Sequence, residues 1–290
     1  MNDDFCLRFR AIKAMAGTHN ADALRALAAV VAHTRNDRRL RHRAAKALTR
    51  THGANAAKAW AAVVQSRGDY VDLRKIAAES LIGTHDADAL RALAAIVANT
   101  KDAIFMRVCA AKALVGKHEA GALRALAAVV QDKTDKTHTA DVVLRELVAK
   151  ALIGTHDADA LRALATVVQD DTDDVDVREL AAKALTGTHD ADALRALAAV
   201  AEDMNDDFCL RFRAIKAMAG THNADALRAL AAVVAHTRND RRLRHRAAKA
   251  LTRTHGANAA KAWAAVVQSR GDYVDLRKIA AESLIGTHDA

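Results

Sequence analysis

Apolar residues recur along this chain at helical spacing, in short segments that alternate with polar turns. The apolar positions of one such segment are Val177, Leu180, Ala181, Ala184 and Leu185. Their spacing of i, i+3, i+4, i+7 and i+8 puts them on one face of a helix. The apolar positions of the next segment are Ala191, Leu194, Leu197, Ala198 and Ala201. The pattern therefore predicts two helices joined by a short corner.

The residues of this corner have the types that end one helix and start another. Gly187 supplies the left-handed residue that commonly follows a helix. Asp190 is placed to cap the next helix, because its carboxylate can accept hydrogen bonds from the first free amides. His189 lies between them, and histidine is among the non-glycine residues that tolerate a left-handed backbone.

The corner recurs from one end of the chain to the other. Its histidines are His19, His52, His85, His118, His156, His189, His222, His255 and His288. The intervals are 33 residues, except for 38 between His118 and His156. Two helices of about three turns each, with two short connections, account for such a unit. One unit cannot bury its apolar faces alone, so neighbours must stack, and we expect an all-α solenoid.

Three motifs of the repeat resemble those of the short HEAT-like repeats of the phycobilisome-lyase type. They are Val177-Arg178 in the first helix, the Ala-Ala-x-Ala-Leu run that ends at Leu185, and the Asp-x-x-Ala-Leu start of the second helix at Asp190. The chain departs from the family pattern in lacking proline and in having His189 where glycine is usual. The resemblance covers essentially the whole chain. It implies a right-handed α-solenoid of antiparallel helix pairs, with residues 1–290 forming a single domain of about 8.5 repeats.

A longer repeat overlies the short one, because residues 204–290 are identical to residues 1–87. This offset of 203 residues contains six short repeats, and identity through the turns as well as the helices indicates a recent duplication or an engineered protein. Repeat one is therefore identical to repeat seven, which must pack on repeat six. We expect the outward face of repeat one to remain apolar and to support head-to-tail association or segment exchange between copies.

The net charge of +9 conceals an uneven distribution. Residues 1–87 hold 15 Lys or Arg and 8 Asp or Glu, which gives +7, and their copy gives another +7. Residues 88–203 hold 14 and 19, which gives −5, so the chain is basic towards both ends and acidic in the middle. The first residues do not resemble a signal peptide, and the three cysteines do not form a disulfide framework. We therefore expect a cytoplasmic protein.

One column of arginines runs along the predicted first helices. It consists of Arg8, Arg41, Arg74, Arg107, Arg145, Arg178, Arg211, Arg244 and Arg277. The column resembles the arginine ladder by which HEAT-like repeats bridge their neighbours, and a planar guanidinium suits buried bidentate contacts. We interpret it as structural, although such a column could also hold phosphates.

A second cationic column runs along the predicted second helices, which the resemblance places on the concave surface. It consists of Arg25, Lys58, Arg91, Arg124, Arg162, Arg195, Arg228 and Lys261. Most members follow an acid by three residues, and this acid cancels the field that a nucleic acid would sense. We therefore predict that this surface binds a protein or peptide, and that the molecule is a scaffold that also self-associates.

The alternative function is nucleic-acid binding through the most basic stretch of the chain. Its candidate residues are Arg35, Arg38, Arg39, Arg43 and Arg50. Counterion release makes such a cluster a good phosphate site, but no aromatic residue is interleaved for base stacking.

No arrangement of residues suggests catalysis, a cofactor or a metal. Corner histidines of stacked helices lie about 10 Å apart, whereas two ligands of one zinc ion must each lie about 2 Å from it. Cys6 and Cys109 have no identifiable partner base. We therefore expect a protein that is not an enzyme and that holds no cofactor or metal.

Overall fold

The computed structural model describes residues 3–33, 37–66, 71–117, 119–132, 139–268 and 274–285. Within these ranges the regular structure is α-helical, and no strand occurs. The prediction of an all-α protein is therefore confirmed. The chain divides into two compact units, Met1–Val129 and Val130–Ala290. Whether all repeats form a single domain stays a prediction.

In the first unit the helices follow one another at the predicted interval. They are α1 (Asp3–Met15), α2 (Ala21–Ala32), α3 (Arg38–Leu48), α4 (Ala54–Gln65), α5 (Val71–Ser80), α6 (Ala87–Ala98) and α7 (Ile104–Leu114). Helix α8 (Ala120–Gln131) contains the boundary between the units. Odd-numbered helices are the first helices of the repeats, and even-numbered helices are the second.

The same alternation continues in the second unit. Its helices are α9 (Thr139–Ala151), α10 (Ala158–Gln169), α11 (Val175–Ala184), α12 (Ala191–Glu202), α13 (Phe208–Ala217), α14 (Ala224–Ala235), α15 (Arg241–Leu251), α16 (Ala257–Gln268) and α17 (Val274–Ile285).

Within each unit the helices form two layers. First helices pack on first helices, as in the series from α9 to α17, and second helices pack on second helices, as in the series from α10 to α16. Each layer also contacts the other, since α12 packs against α13 and α14 packs against α15. This arrangement confirms the prediction of stacked helix pairs. None of the helices in the described ranges has the length and apolar character needed to cross a bilayer.

The corner before α12 forms as the sequence predicts, with one correction. Gly187 has φ 76°, the left-handed conformation that favours glycine. The Asp190 carboxylate accepts a hydrogen bond from the amide of Ala193 at 2.8 Å, and the Thr188 hydroxyl accepts one from the amide of Asp190 at 3.1 Å. His189 does not have a positive φ and its side chain is exposed. Glycine alone makes the left-handed turn, so histidine is not needed for it.

The second helices are buried over more of their surface than a single stripe. On α12 the predicted positions Leu194 and Leu197 are buried, but so are Ala193, Ala196 and Val200, which the pattern did not select. The reason is that α12 packs against α10 and α14 as well as against α13. Burial of each such leucine contributes about 1.5–3 kcal/mol. A helix of small residues between two neighbours can therefore be buried on several sides.

The duplicated segments show how strongly burial depends on neighbours. Leu210 of α13 is fully buried, whereas the identical Leu7 of α1 is 64% exposed. Met218 is also fully buried, and its equivalent Met15 is only partly so. Helix α13 packs against α11 and α12, whereas α1 packs against α2 and α3. Identical residues are thus core in one unit and surface in the other.

This difference predicts unequal effects of one substitution at two equivalent sites. We expect Leu210→Ala to lower the free energy of unfolding by about 2–5 kcal/mol, since it leaves a cavity. Leu7→Ala should change it by less than about 0.5 kcal/mol, because surface substitutions have small effects. Urea unfolding followed by circular dichroism measures both. Equal losses at the two sites would contradict the assigned packing. A loss at Leu7 that grows with protein concentration would show that another copy covers α1.

Candidate binding surfaces

The arginines of the first column are tied to the helix that precedes each of them. From α3 to α15, each Nε donates a hydrogen bond to the carbonyl of the penultimate residue of the preceding second helix, with N–O distances from 2.7 to 3.2 Å. The pairs are Arg41 with Val31, Arg74 with Val64, Arg107 with Val97, Arg145 with Val130, Arg178 with Val168, Arg211 with Ala201, and Arg244 with Val234. Carbonyls in the last helical turn lack a partner within the helix, and a cation there is favoured by the helix dipole.

Three of these arginines also bind an aspartate 28 residues further along the chain. Arg74 Nη1 lies 2.7 Å from Asp102, and Arg178 Nη1 lies 2.7 Å from Asp206. Arg145 makes the same pair with Asp173 through both terminal nitrogens. Each aspartate lies in the turn before the next first helix, so one guanidinium joins the preceding repeat to the following one. These contacts confirm the structural interpretation of the three arginines. Because their guanidinium groups are already bound within the protein, they are not available to an external ligand.

The ends of the first column differ from its middle. Arg8 on α1 is exposed, with its Nε 3.4 Å from Asp4 of the same helix. Arg277 on α17 is also exposed. The ladder therefore forms where a first helix is packed inside a stack.

The second column lies on the surface, as predicted. All eight members are exposed on their second helices. The acid three residues earlier pairs with Arg25, Arg91, Arg162, Arg195 and Arg228. Lys58 has no such acid, and its Nζ instead lies 3.8 Å from Asp88 of the neighbouring helix α6. The column is therefore a row of largely neutralised cations, and its role in binding stays a prediction.

The basic stretch divides between interior and surface. Arg38, Arg39, Arg43 and Arg50 are exposed, whereas Arg41 is buried in the ladder. Arg35 lies outside the described residues. Its copy separates in the same way, with Arg244 buried and Arg242 exposed.

Aromatic rings lie next to this stretch, although none is interleaved with its arginines in the sequence. The Arg43 guanidinium lies over the ring of Phe9, 4.8 Å from its centroid. In the second unit Arg242 covers Phe208 at 5.0 Å and Arg246 covers Phe212 at 4.9 Å. The rings belong to the preceding first helix, so no aromatic appears within the basic stretch itself. The signal that could have revealed them is the offset of 34 residues, about one repeat, between each ring and its arginine.

One group of side chains has the composition of a metal site. Glu179, Asp207 and Cys209 have ligand atoms within 4.8 Å of one another. Glu179 accepts from Arg213 at 3.2 Å, and Asp207 caps α13 by accepting from the Cys209 amide at 2.7 Å. Because both carboxylates have structural partners, we assign no metal to this group.

Cys109 has surroundings unsuited to a nucleophile. Burial raises the pKa of its thiol, and the charge of Glu79 raises it further. Nucleophilic cysteines require the opposite shift, since the thiolate is the reactive form.

No protein-family model and no curated protein matches the chain. A solved structure of human deoxyhypusine hydroxylase in complex with glycerol is similar at 17% identity and a TM-score of 0.38, over 93% of this chain and 97% of that chain. A TM-score below 0.5 supports no argument about activity. The helices and their ladder define the class of protein: it is built from tandem α-helical repeats.

The ladder predicts a large difference between two arginines of the same unit. We expect Arg145→Met to lower the free energy of unfolding by about 3–5 kcal/mol, because it leaves the buried Asp173 carboxylate without its partner. The matched control Arg195→Met removes an exposed pair and should cost no more than about 1 kcal/mol. Thermal and urea unfolding test both variants. Similar small losses would show that the ladder does not support the stack.

Proposed function

We propose that this protein is a non-enzymatic, HEAT-like repeat scaffold that binds a protein or peptide segment on its second-helix surface. That surface consists of the exposed positions of the even-numbered helices within each unit. The observation that carries the proposal is the composition of this exposed stripe.

On each second helix an exposed Arg or Lys is followed four residues later by an exposed small side chain, which is alanine except for Thr166 on α10. On α12 the exposed positions include Asp192, Arg195 and Ala199, and on α14 they include Arg228 and Ala232. The neighbouring helices α12 and α14 therefore align charged pairs beside exposed alanines. Charged pairs supply hydrogen bonds at a polar rim, and alanines allow the backbone of a partner to approach closely. Because the cations are mostly paired, the surface suits a partner of mixed charge.

A groove between α14 and α16 shows this composition locally. It has a volume of about 340 Å³. Its lining includes the alanines Ala231, Ala232 and Ala262 together with Arg228 and Lys261. Concave, mostly apolar surfaces with a few polar groups are typical binding sites. A peptide with small apolar side chains and a carboxylate near Lys261 would complement this groove.

Three further features support the other parts of the proposal, which are a non-enzymatic role, a cytoplasmic location and self-association. The raised pKa of the Cys109 thiol weighs against covalent catalysis. Cys6, Cys109 and Cys209 are free thiols, which suits a reducing compartment such as the cytoplasm. The exposed Leu7 on α1 would favour self-association, since the same residue is core in α13.

A displayed library of random peptides, selected on the full chain, tests the binding surface. We expect selected peptides to lose at least tenfold in affinity for Ala199→Glu/Ala232→Glu, because bulky charged side chains would block the alanine row. Both alanines are exposed, so circular dichroism should show an unchanged fold.

The control for this experiment is Lys183→Gln/Lys216→Gln, which changes the net charge equally at exposed positions of the first helices. It should retain peptide binding. Peptides that bind both variants and the unmodified protein equally would contradict the proposed surface.

A further inference from the structure

The first-helix layer carries a second surface, of different chemistry, at α13 and α15. Four cations are spaced at i, i+4, i+7 and i+11. The first three lie on one face of α15, and the fourth lies two residues after the helix ends. The four are Arg242, Arg246, Lys249 and Arg253. At the rise of an α-helix they span about 16 Å. We call these four side chains, together with Phe208 and Phe212, the basic–aromatic surface.

The cations of this surface are poorly neutralised. Arg242 Nε lies 3.5 Å from Asp240, and both side chains are largely exposed, so the attraction is weak. Neither Lys249 nor Arg253 takes part in an ion pair with another described residue. The second helices differ, because there an acid three residues away accompanies most arginines. The positive field of the basic–aromatic surface therefore reaches the solvent.

The rings of this surface are ordered beside the cations. Phe208 and Phe212 lie one helical turn apart, with centroids separated by 6.4 Å and an interplanar angle of 25°. Both rings are partly exposed, and Arg242 and Arg246 stack on them. These contacts fasten α15 to α13. They leave Lys249 and Arg253 unexplained, since both extend the same row but contact neither ring.

The first unit contains the same surface. Phe5 and Phe9 lie 6.4 Å apart at an angle of 24°, and Arg43 covers Phe9. The equivalent exposed cations are Arg39, Lys46 and Arg50. The arrangement is thus present once in each unit.

We propose that the basic–aromatic surface binds single-stranded nucleic acid. Phosphates would lie along the row of four cations, and unpaired bases would stack on the guanidinium planes over the phenylalanine rings and on the exposed parts of those rings. Stacking of bases on aromatic and arginine side chains is how sequence-tolerant single-strand sites combine affinity with little base discrimination. A duplex presents its phosphates but keeps its bases stacked inside. It could therefore contact the cations of this surface but could not stack its bases on the rings. This inference does not depend on peptide binding by the second-helix surface.

Fluorescence anisotropy with a labelled single-stranded oligonucleotide of mixed sequence tests the electrostatic part. Four cations per site predict that log K falls with log salt at a slope of about −3. The variant Lys46→Gln/Arg50→Gln/Lys249→Gln/Arg253→Gln removes half of these charges without touching the ladder or the rings. Its slope should fall to about half that value.

A second variant isolates stacking from charge. Phe9→Leu/Phe212→Leu keeps apolar packing and every charge, and it should weaken binding of the oligonucleotide about tenfold. Binding of heparin, a polyanion without bases, should not change. Circular dichroism reports whether the variant remains folded. Arg162→Gln/Arg195→Gln, on the second-helix surface, should leave oligonucleotide binding intact, which separates this site from the peptide site.

Three results would overturn the proposal. One is the absence of oligonucleotide binding at low salt. Another is tighter binding of duplex DNA than of the single strand of the same sequence. The third is unchanged oligonucleotide binding by the Phe9→Leu/Phe212→Leu variant, which would identify the surface as a general polyanion site.

Discussion

The structure depends on a buried guanidinium that joins three consecutive parts of the stack. In Arg178 the Nε donates to the carbonyl of Val168 at the end of one second helix, and the terminal nitrogens bind Asp206 before the next first helix. Alanine-rich helices bury small side chains that give little directional preference. A fixed planar group with partners on both sides specifies how one repeat sits on the next. Each guanidinium also neutralises a helix end that would otherwise bury unpaired carbonyls.

Many of the cationic side chains fall into three environments. Those on packed first helices are mostly buried and donate to the backbone of the preceding second helix, and three of them also bind an aspartate. Those on second helices are exposed but mostly paired within their own helix, as Arg195 is with Asp192 at 2.9 Å. A third set, which includes Lys249 and Arg253, is exposed and free of ion pairs within the described residues. Composition and net charge do not distinguish these groups.

Local features of the fold could be predicted because the residues that specify them are adjacent in sequence. Gly187 and Asp190 lie within one corner, and helical spacing identified Leu194 and Leu197 as core. Contacts between repeats were harder to predict. Where a ladder arginine binds an aspartate, the two lie 28 residues apart, and the ring beneath Arg43 belongs to the preceding first helix. The burial of Leu7 and Leu210 could not be predicted from the local sequence at all. The residues around them are identical, yet Leu7 is exposed and Leu210 is buried.

A double-mutant cycle on Arg178 and Asp206 tests the central claim most directly. Unfolding free energies of Arg178→Met, Asp206→Asn and the double variant give the coupling between the two side chains. We expect a coupling of about 2–3 kcal/mol, at the upper end for residues of one buried network, and a value near zero for the exposed pair Asp192 and Arg195. A coupling below about 0.5 kcal/mol for Arg178 and Asp206 would show that this pair does not help to hold one repeat against the next.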